Sequence, residues 1–208
     1  MERKMNYQLG IYLLLPKKWE EIIGEIKNSL LPLNSSQTTP HISIYNCAIK
    51  KESFNTVFDI LKRINQKPFS ITFDKVKVNI NDGYYFLDIP HLKDLSKLQK
   101  DIITLINPVR NGLIRQKDIK KIKNGSYSDK QVGYINKYGH ARVFDLYNPH
   151  ITFGISKTDN RKKLVINLTD KVKKIKSKSF EIKEITVGLF EEESNKKEFE
   201  KKIKLGII

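Results

Sequence analysis

Short apolar runs alternate with amphipathic stretches along the chain. Residues 9–15 form an apolar run, and 7–15 reads as a buried first strand. Residues 17–31 place Trp19, Ile22, Ile23, Ile26 and Leu30 at helical spacing on one face. A polar loop, 32–39, leads to a β-branched segment that opens at Pro40. Phe54, Val57, Phe58, Leu61 and Ile64 mark a second helix. Phe69-x-Ile71 then opens a long strand that slips phase into Val76-x-Val78-x-Ile80. Asn81-Asp82-Gly83 is a hairpin turn signal into 84–89. Leu92, Leu95, Leu98, Ile102, Leu105 and Ile106 predict the next helix, with Pro108 expected to stop it. Residues 109–148 are polar and break the pattern, and Ser128 with Gln131 has the spacing of a capping box opening a short helix towards Tyr138. The pattern resumes at Pro149 with a strand, then a helix on Leu164, Val165, Leu168, Val172 and Ile175, for which Asp159 is the expected N-cap. Phe180-x-Ile182 follows and slips phase into Ile185-x-Val187-x-Leu189. The final stretch, 197–208, reads as a strand paired back on 182–190.

The pattern is a repeat. Pro40-His41-Ile42-Ser43-Ile44 and Pro149-His150-Ile151-Thr152-Phe153 both read Pro, His, apolar, hydroxyl, apolar, and their histidines lie 109 residues apart. Each copy is followed by a helix and by a strand opening on phenylalanine. The chain therefore reads as two copies of one strand–helix–strand unit, separated by an insertion at 109–148.

Strand geometry gives the motif a chemical meaning. Side chains i and i+2 share a face. His41 and Ser43 would stand together with Ile42 behind them, and His150 and Thr152 with Ile151 behind them. If a pseudo-twofold brings the two strands together, two imidazoles flank one phosphate. One would act as general base and the other as general acid, near the pH at which histidine titrates. Ser43 and Thr152 would donate hydrogen bonds to the non-bridging oxygens. The spacing is not that of a zinc site, so neither metal nor cofactor is expected.

Two His-x-[Ser/Thr]-x-apolar motifs in a duplicated chain of this length resemble the two-histidine phosphoesterase superfamily, which includes the LigT-like cyclic phosphodiesterases and the so-called 2′-5′ RNA ligases. The resemblance covers nearly the whole chain. It implies a single bilobal α+β domain over 1–208, with two mostly antiparallel sheets, outer helices and a central cleft. Lobe one would hold the first motif at 40–45, lobe two the second at 149–155. Asn107-Pro108-Val109-Arg110, and the run from Lys137 through Tyr138-Gly139-His140-Ala141-Arg142 to the second motif, are similar to a branch with Pro-x-Arg and aromatic-Gly-Tyr-Pro-x-Val. Some members of that branch are associated with phosphonate metabolism. The chain departs from the branch pattern at His140 and Ala141, so the superfamily chemistry is carried over and the branch's substrate is not.

Composition adds a partner class. The net charge of +16, from 39 basic and 23 acidic residues, suits RNA or another nucleotide, although lysine-rich solvated helix faces account for much of it. Arginine is scarce, and three of the six, Arg110, Arg115 and Arg142, lie in the insertion. Arg110 and Arg142 are the phosphate-side candidates. Tyr45, Tyr138 and Tyr147 are candidates to stack a base. The lone Cys47 points to a reducing, cytoplasmic setting. The apolar run near the N-terminus is too short to span a membrane and lacks a leader's cleavage site. The expectation is a monomeric cytoplasmic phosphodiesterase for a cyclic or 2′-5′-linked RNA or nucleotide, with ligation left open. The alternatives are a nucleic-acid-binding module of the same fold without turnover, and a cyclic sugar-phosphate phosphodiesterase.

Overall fold

Strand β1 (Tyr7–Leu14) sits inside the larger of two antiparallel sheets, with Leu9, Ile11 and Leu13 fully buried. The structure, a computed structural model, describes residues 7–28, 39–72, 77–81, 83–156, 160–175 and 179–206. Helix α1 (Lys17–Asn28) follows, then β2 (His41–Ile49), α2 (Phe54–Leu61) and the short β3 (Phe69–Thr72). Strands β4 (Val78–Asn81) and β5 (Tyr84–Asp88) form a hairpin, closed with Gly83 at φ 78°. Helix α3 (Lys93–Arg110) leads into α4 (Gln116–Lys123) and α5 (Asp129–Tyr138). The second motif opens β6 (His150–Ile155), followed by α6 (Arg161–Lys173), β7 (Ser179–Ile182), β8 (Glu184–Glu191) and β9 (Lys197–Lys204). Seven strands run in the order β4-β5-β6-β2-β1-β8-β9, and β3 pairs with β7 alone. The expected α+β architecture with two antiparallel sheets is what forms.

Equivalent positions of the repeat meet each other. β2 and β6 touch at one antiparallel pair, Ile42 with Ile151. In the small sheet Phe69 pairs with Ile182 and Ile71 with Phe180. A local twofold thus passes through both sheets. The packing obeys it: α3 lies on β2 and α2, as α1 lies on β6 and α6. The repeat is longer than the motif-bearing unit. It reads strand–helix–strand–helix–strand–strand, β1 to β4 and then β5 to β8, with α4 and α5 inserted and β9 appended.

Three local expectations change. The long strands with a phase slip are each two strands: β3 and β7 belong to the small sheet, and β4 and β8 to the large one. The slip is the point where the chain changes sheets. The repeats also exchange strands, since β8 completes the part of the sheet that carries His41, and β4 the part that carries His150. Pro108 does not stop α3, which runs on to Arg110 and ends at Asn111 in the left-handed region, φ 52°. Proline's fixed φ is helical, so near a C-terminus it removes one hydrogen bond without ending the helix. The Ser128–Gln131 capping box on α5 is present in full. Asp159, the end of the first helix pattern at 29–31, the loop 32–38 and Val76 lie outside the described residues.

Candidate active site

Burial along the two motif strands alternates as the side-chain period requires. Ile42 and Ile151 are fully buried in the common core, while His41, Ser43, His150 and Thr152 are half-buried on the other face. Losing either isoleucine to alanine would cost about 2–5 kcal/mol, which ties the site to the core behind it. Counting outward from the Ile42–Ile151 pair puts His41 opposite Thr152 and Ser43 opposite His150. The four groups therefore alternate around the twofold. Diagonal neighbours in a sheet stand about 7–8 Å apart at the backbone, so the two imidazoles can flank one phosphate.

The histidines are held alike. His41 Nδ1 lies 2.8 Å from the Thr39 carbonyl and His150 Nδ1 2.8 Å from the Asn148 carbonyl. A carbonyl only accepts, so Nδ1 carries the proton in each ring and Nε2 is left for chemistry. An aromatic ring braces each imidazole: Tyr12 at 5.2 Å from His41 and Phe86 at 4.9 Å from His150, centroid to centroid. Tyr12 pairs with Ser43, and Phe86 with Thr152, so the two braces are themselves equivalent. Burial lowers the pKa of both imidazoles, and the carbonyl bonds oppose that shift. Lys27 lowers His41 further; on His150, Arg142 and His41 push down and Asp88 pushes up.

Two adjoining cavities open on this face and share Ser43 and Asn46. One, about 580 Å³, is lined by His41, Tyr12, Phe190 and Glu200, with the Tyr12 hydroxyl donating to Glu200. Phe190 lies across Gly10 and Gly188, where a Cβ would come within 3.1 and 2.6 Å of its ring. The other, about 480 Å³, holds His150 and Thr152 and is walled by the insertion through Arg115, Lys117, Lys121, Tyr127, His140, Arg142 and Tyr147.

Of the candidates, His150, Ser43, Thr152, Arg142 and Tyr147 line one cavity, and His41 with Ser43 the other. Tyr147 is buried and donates from its hydroxyl to the Ser43 carbonyl at 3.1 Å, so it positions β2 and offers no open face for a base. Arg110, Tyr45 and Tyr138 are placed elsewhere. Arg110 is buried, and its guanidinium donates to the Leu113, Asn136 and Lys137 carbonyls and to Asn107 Oδ1. It closes the C-terminal end of α5, where main-chain carbonyls attract a cation. Tyr45 is buried, with its hydroxyl on the Tyr138 carbonyl, and Tyr138 packs edge-on to Phe144.

Several residues at the site carried no signal that the pattern could yield. Tyr12, Phe86 and Asp88 come from strands without a motif, and only the pairing register brings them to the histidines. His140 faces the cationic wall. Its Nδ1 accepts the Arg142 main-chain N–H at 3.1 Å, so in the neutral ring the proton is on Nε2. Burial, together with Arg115, Lys117 and Arg142, holds its pKa well below the usual imidazole value. Lys117 and Lys121, four apart on α4, were the one legible hint.

Residues 51–200 match the family described as "Protein of unknown function (DUF1045)", a span that includes the second motif and begins past the first. No curated protein matches. Among solved structures, E. coli LigT in apo form aligns with a TM-score of 0.58 at 14% identity, over 96% of this chain and 98% of that one. E. coli LigT complexed with 3′-AMP gives 0.57 at 12%, over 98% and 100%. Usb1 of Kluyveromyces marxianus gives 0.51 at 12%, over 97% and 99%. At these identities the likeness is one of fold, and it bears out the resemblance read from the two motifs. The chain belongs to the DUF1045 family and has the LigT-like fold of the two-histidine phosphoesterases.

Proposed function

We propose that this chain is a metal-independent phosphodiesterase that opens a cyclic or 2′-5′-linked nucleotide or RNA phosphodiester between His41 and His150. One observation carries the reading: two imidazoles related by a local twofold, each with Nδ1 pinned 2.8 Å from a main-chain carbonyl. The scissile phosphorus would sit on the twofold. One neutral Nε2 removes a proton from the attacking water, and the phosphorus–oxygen bond to the ribose breaks as the opposite imidazolium protonates the leaving oxygen. Ser43 and Thr152 donate to the non-bridging oxygens. A ribose hydroxyl in place of water would run the same chemistry as ligation. The phosphate's negative charge favours the imidazolium that burial disfavours, so substrate prepares its own acid. E. coli LigT, of the same fold, is seen complexed with 3′-AMP, and the two cavities, about 480 and 580 Å³, are of the size that takes a nucleotide.

The test is turnover by the purified protein in EDTA of adenosine 2′,3′-cyclic phosphate, a 2′-5′ oligoadenylate, a cyclic dinucleotide and a cyclic sugar phosphate, with products read by mass spectrometry. A monoester or cleaved product that disappears in His41→Ala and His150→Ala supports the reading. Tight RNA binding with no turnover of any of the four would make the chain a binding module of the same fold.

A further inference from the structure

The insertion builds a wall whose charge the imidazole pair does not use. Arg115, Lys117, Lys121 and Arg142 line the cavity beside His150, Thr152 and Ser43, against one carboxylate, Asp118. That carboxylate is already committed. Asp118 is buried, with Oδ2 on Arg115 Nε at 2.6 Å and Oδ1 on the Tyr127 hydroxyl at 2.7 Å. The chain fixes the wall at both ends: the Gln116 main-chain N–H is bound by Glu192 from the β8–β9 turn, and Arg142 follows His140, which faces the same space. Lys117, Lys121 and Arg142 form no ion pair with a carboxylate within 4 Å among the described residues. A cluster of like charges around a cavity, with the one acid among its described lining residues sequestered, is a site arranged for an anion.

We propose that this wall is a second phosphate site, so that the substrate carries another phosphate within one nucleotide of the bond that is broken. This deepens the phosphodiesterase reading and rests on it for the position of the scissile phosphate. The charge state of Lys117, an exposed residue at the cavity's edge, fits this site. Crowding by the cavity walls, and then Arg115, lower its pKa to about 8, with Lys121 also pushing down and Asp118 and Glu192 pushing up. A phosphate beside it would restore the charge, and binding would take up a proton above pH 8. The class of ligand is a phosphodiester with a neighbouring phosphate. Its two sources are a 5′-phosphorylated nucleoside 2′,3′-cyclic phosphate and the end of an RNA, whose neighbouring phosphate is a diester.

Two measurements test this and keep it apart from the activity itself. The first compares kcat/KM for adenosine 2′,3′-cyclic phosphate with and without a 5′-phosphate, and for ApA ending in a 2′,3′-cyclic phosphate. The 5′-phosphate should raise kcat/KM by about tenfold or more, the size of one charge-assisted hydrogen bond, and the gain should fall towards one in Lys117→Gln/Lys121→Gln. A larger gain from the ApA substrate would identify an RNA diester as the natural occupant. The second is calorimetric titration of inorganic phosphate into His41→Ala/His150→Ala, with and without the two lysine substitutions, in buffers of different ionisation heat at pH 8.5. Phosphate should bind the histidine variant with proton uptake and lose affinity when the lysines are changed. If no diester is turned over yet this lysine-dependent binding persists, the catalytic reading fails and the second site stands. If diesters are turned over but the 5′-phosphate gives no gain, or a gain that the lysine substitutions leave intact, the second site is wrong.

Discussion

Arg110→Ala should damage stability and spare substrate affinity. The sequence places this arginine in a motif-like Pro-x-Arg, and its buried position gives it other work. Its guanidinium serves the Leu113 carbonyl, the Lys137 carbonyl at 3.1 Å and, more weakly, the Asn136 carbonyl at 3.4 Å, with Asn107 Oδ1 at 3.2 Å. Removing it takes the donor from the Leu113 and Lys137 carbonyls, whose bonds to it are part-buried. Each costs about 1–3 kcal/mol, so a loss of about 4 kcal/mol is expected. For a chain of this size each kcal/mol moves Tm by about 2–4 °C, which gives a fall of about 8–16 °C. Arg110→Lys should recover little, because one ammonium cannot reach three carbonyls that a planar fork spans. Gly139→Ala offers a second route to the same contact. Its Cβ would come within 2.6 Å of Arg110 Cδ, and its φ of 73° adds about 1–2 kcal/mol of backbone strain. The assay is thermal unfolding followed by circular dichroism, with kinetics on a cyclic nucleotide run well below the variant's Tm. An unchanged Tm with a raised KM would refute the structural role and return Arg110 to the substrate.

His41→Ala and His150→Ala should each lose about 10²–10⁴-fold in kcat while staying folded, and the double variant should lose less than the product, because both act on one phosphate; single-turnover rates decide this. Ser43→Ala and Thr152→Ala should be milder, since each removes one hydrogen bond to the phosphate and leaves proton transfer in place. Because burial lowers both imidazole pKa values, the free enzyme with one ring protonated should be commonest below pH about 6.5. The kcat/KM profile should therefore be bell-shaped with an optimum on the acid side of that value, and the kcat profile should shift upward once phosphate is bound; a kcat/KM optimum above pH 7 would contradict this. The same depressed values mean that the unfolded chain takes up protons first, so stability contributed by His41, His140 and His150 is present above pH about 6.5 and lost as pH falls below it. EDTA should leave turnover unchanged, and loss of activity restored by a divalent metal would defeat the paired-imidazole chemistry.

The two histidine motifs were legible because a strand's period of two is written directly into His-x-Ser and His-x-Thr, and because the repeat doubles the signal. The phase slips at Phe69–Ile80 and Phe180–Leu189 were also legible as slips. Their cause was hidden, since leaving the large sheet depends on a partner far away in the chain: Ile182 for Phe69 and Phe180 for Ile71. Helix α4 left little trace, since four of its eight residues are lysine and only Ile119 and Ile122 are apolar. Arg110 was misread for a related reason. A local pattern names the residue type that binds phosphate, but burial decides whether its donors remain free, and here the C-terminal carbonyls of α5 had taken them. Tyr147 lines the cavity, but its hydroxyl is bound under Ser43 and leaves no open face for the stacking expected of it.

The local twofold supplies two equal imidazoles, and the residues that break it give the site a direction. Leu14 stands opposite His41 where Asp88 stands opposite His150. Asp88 is partly buried, keeps one oxygen without a hydrogen-bond partner among the described residues, and has its own pKa raised by that burial. Alone it would favour an imidazolium at His150 and mark that ring as the acid. Arg142 opposes it from the insertion, as Lys27 opposes protonation of His41. The two effects on His150 partly cancel, so in the proposed mechanism neither ring would be charged in advance and the incoming phosphate would decide. An anion that engages Arg142 would neutralise the larger of the two charges set against His150 and tip the balance towards Asp88. The insertion would then do more than enlarge the cleft: by binding part of the substrate, it would turn a symmetric pair of bases into one base and one acid.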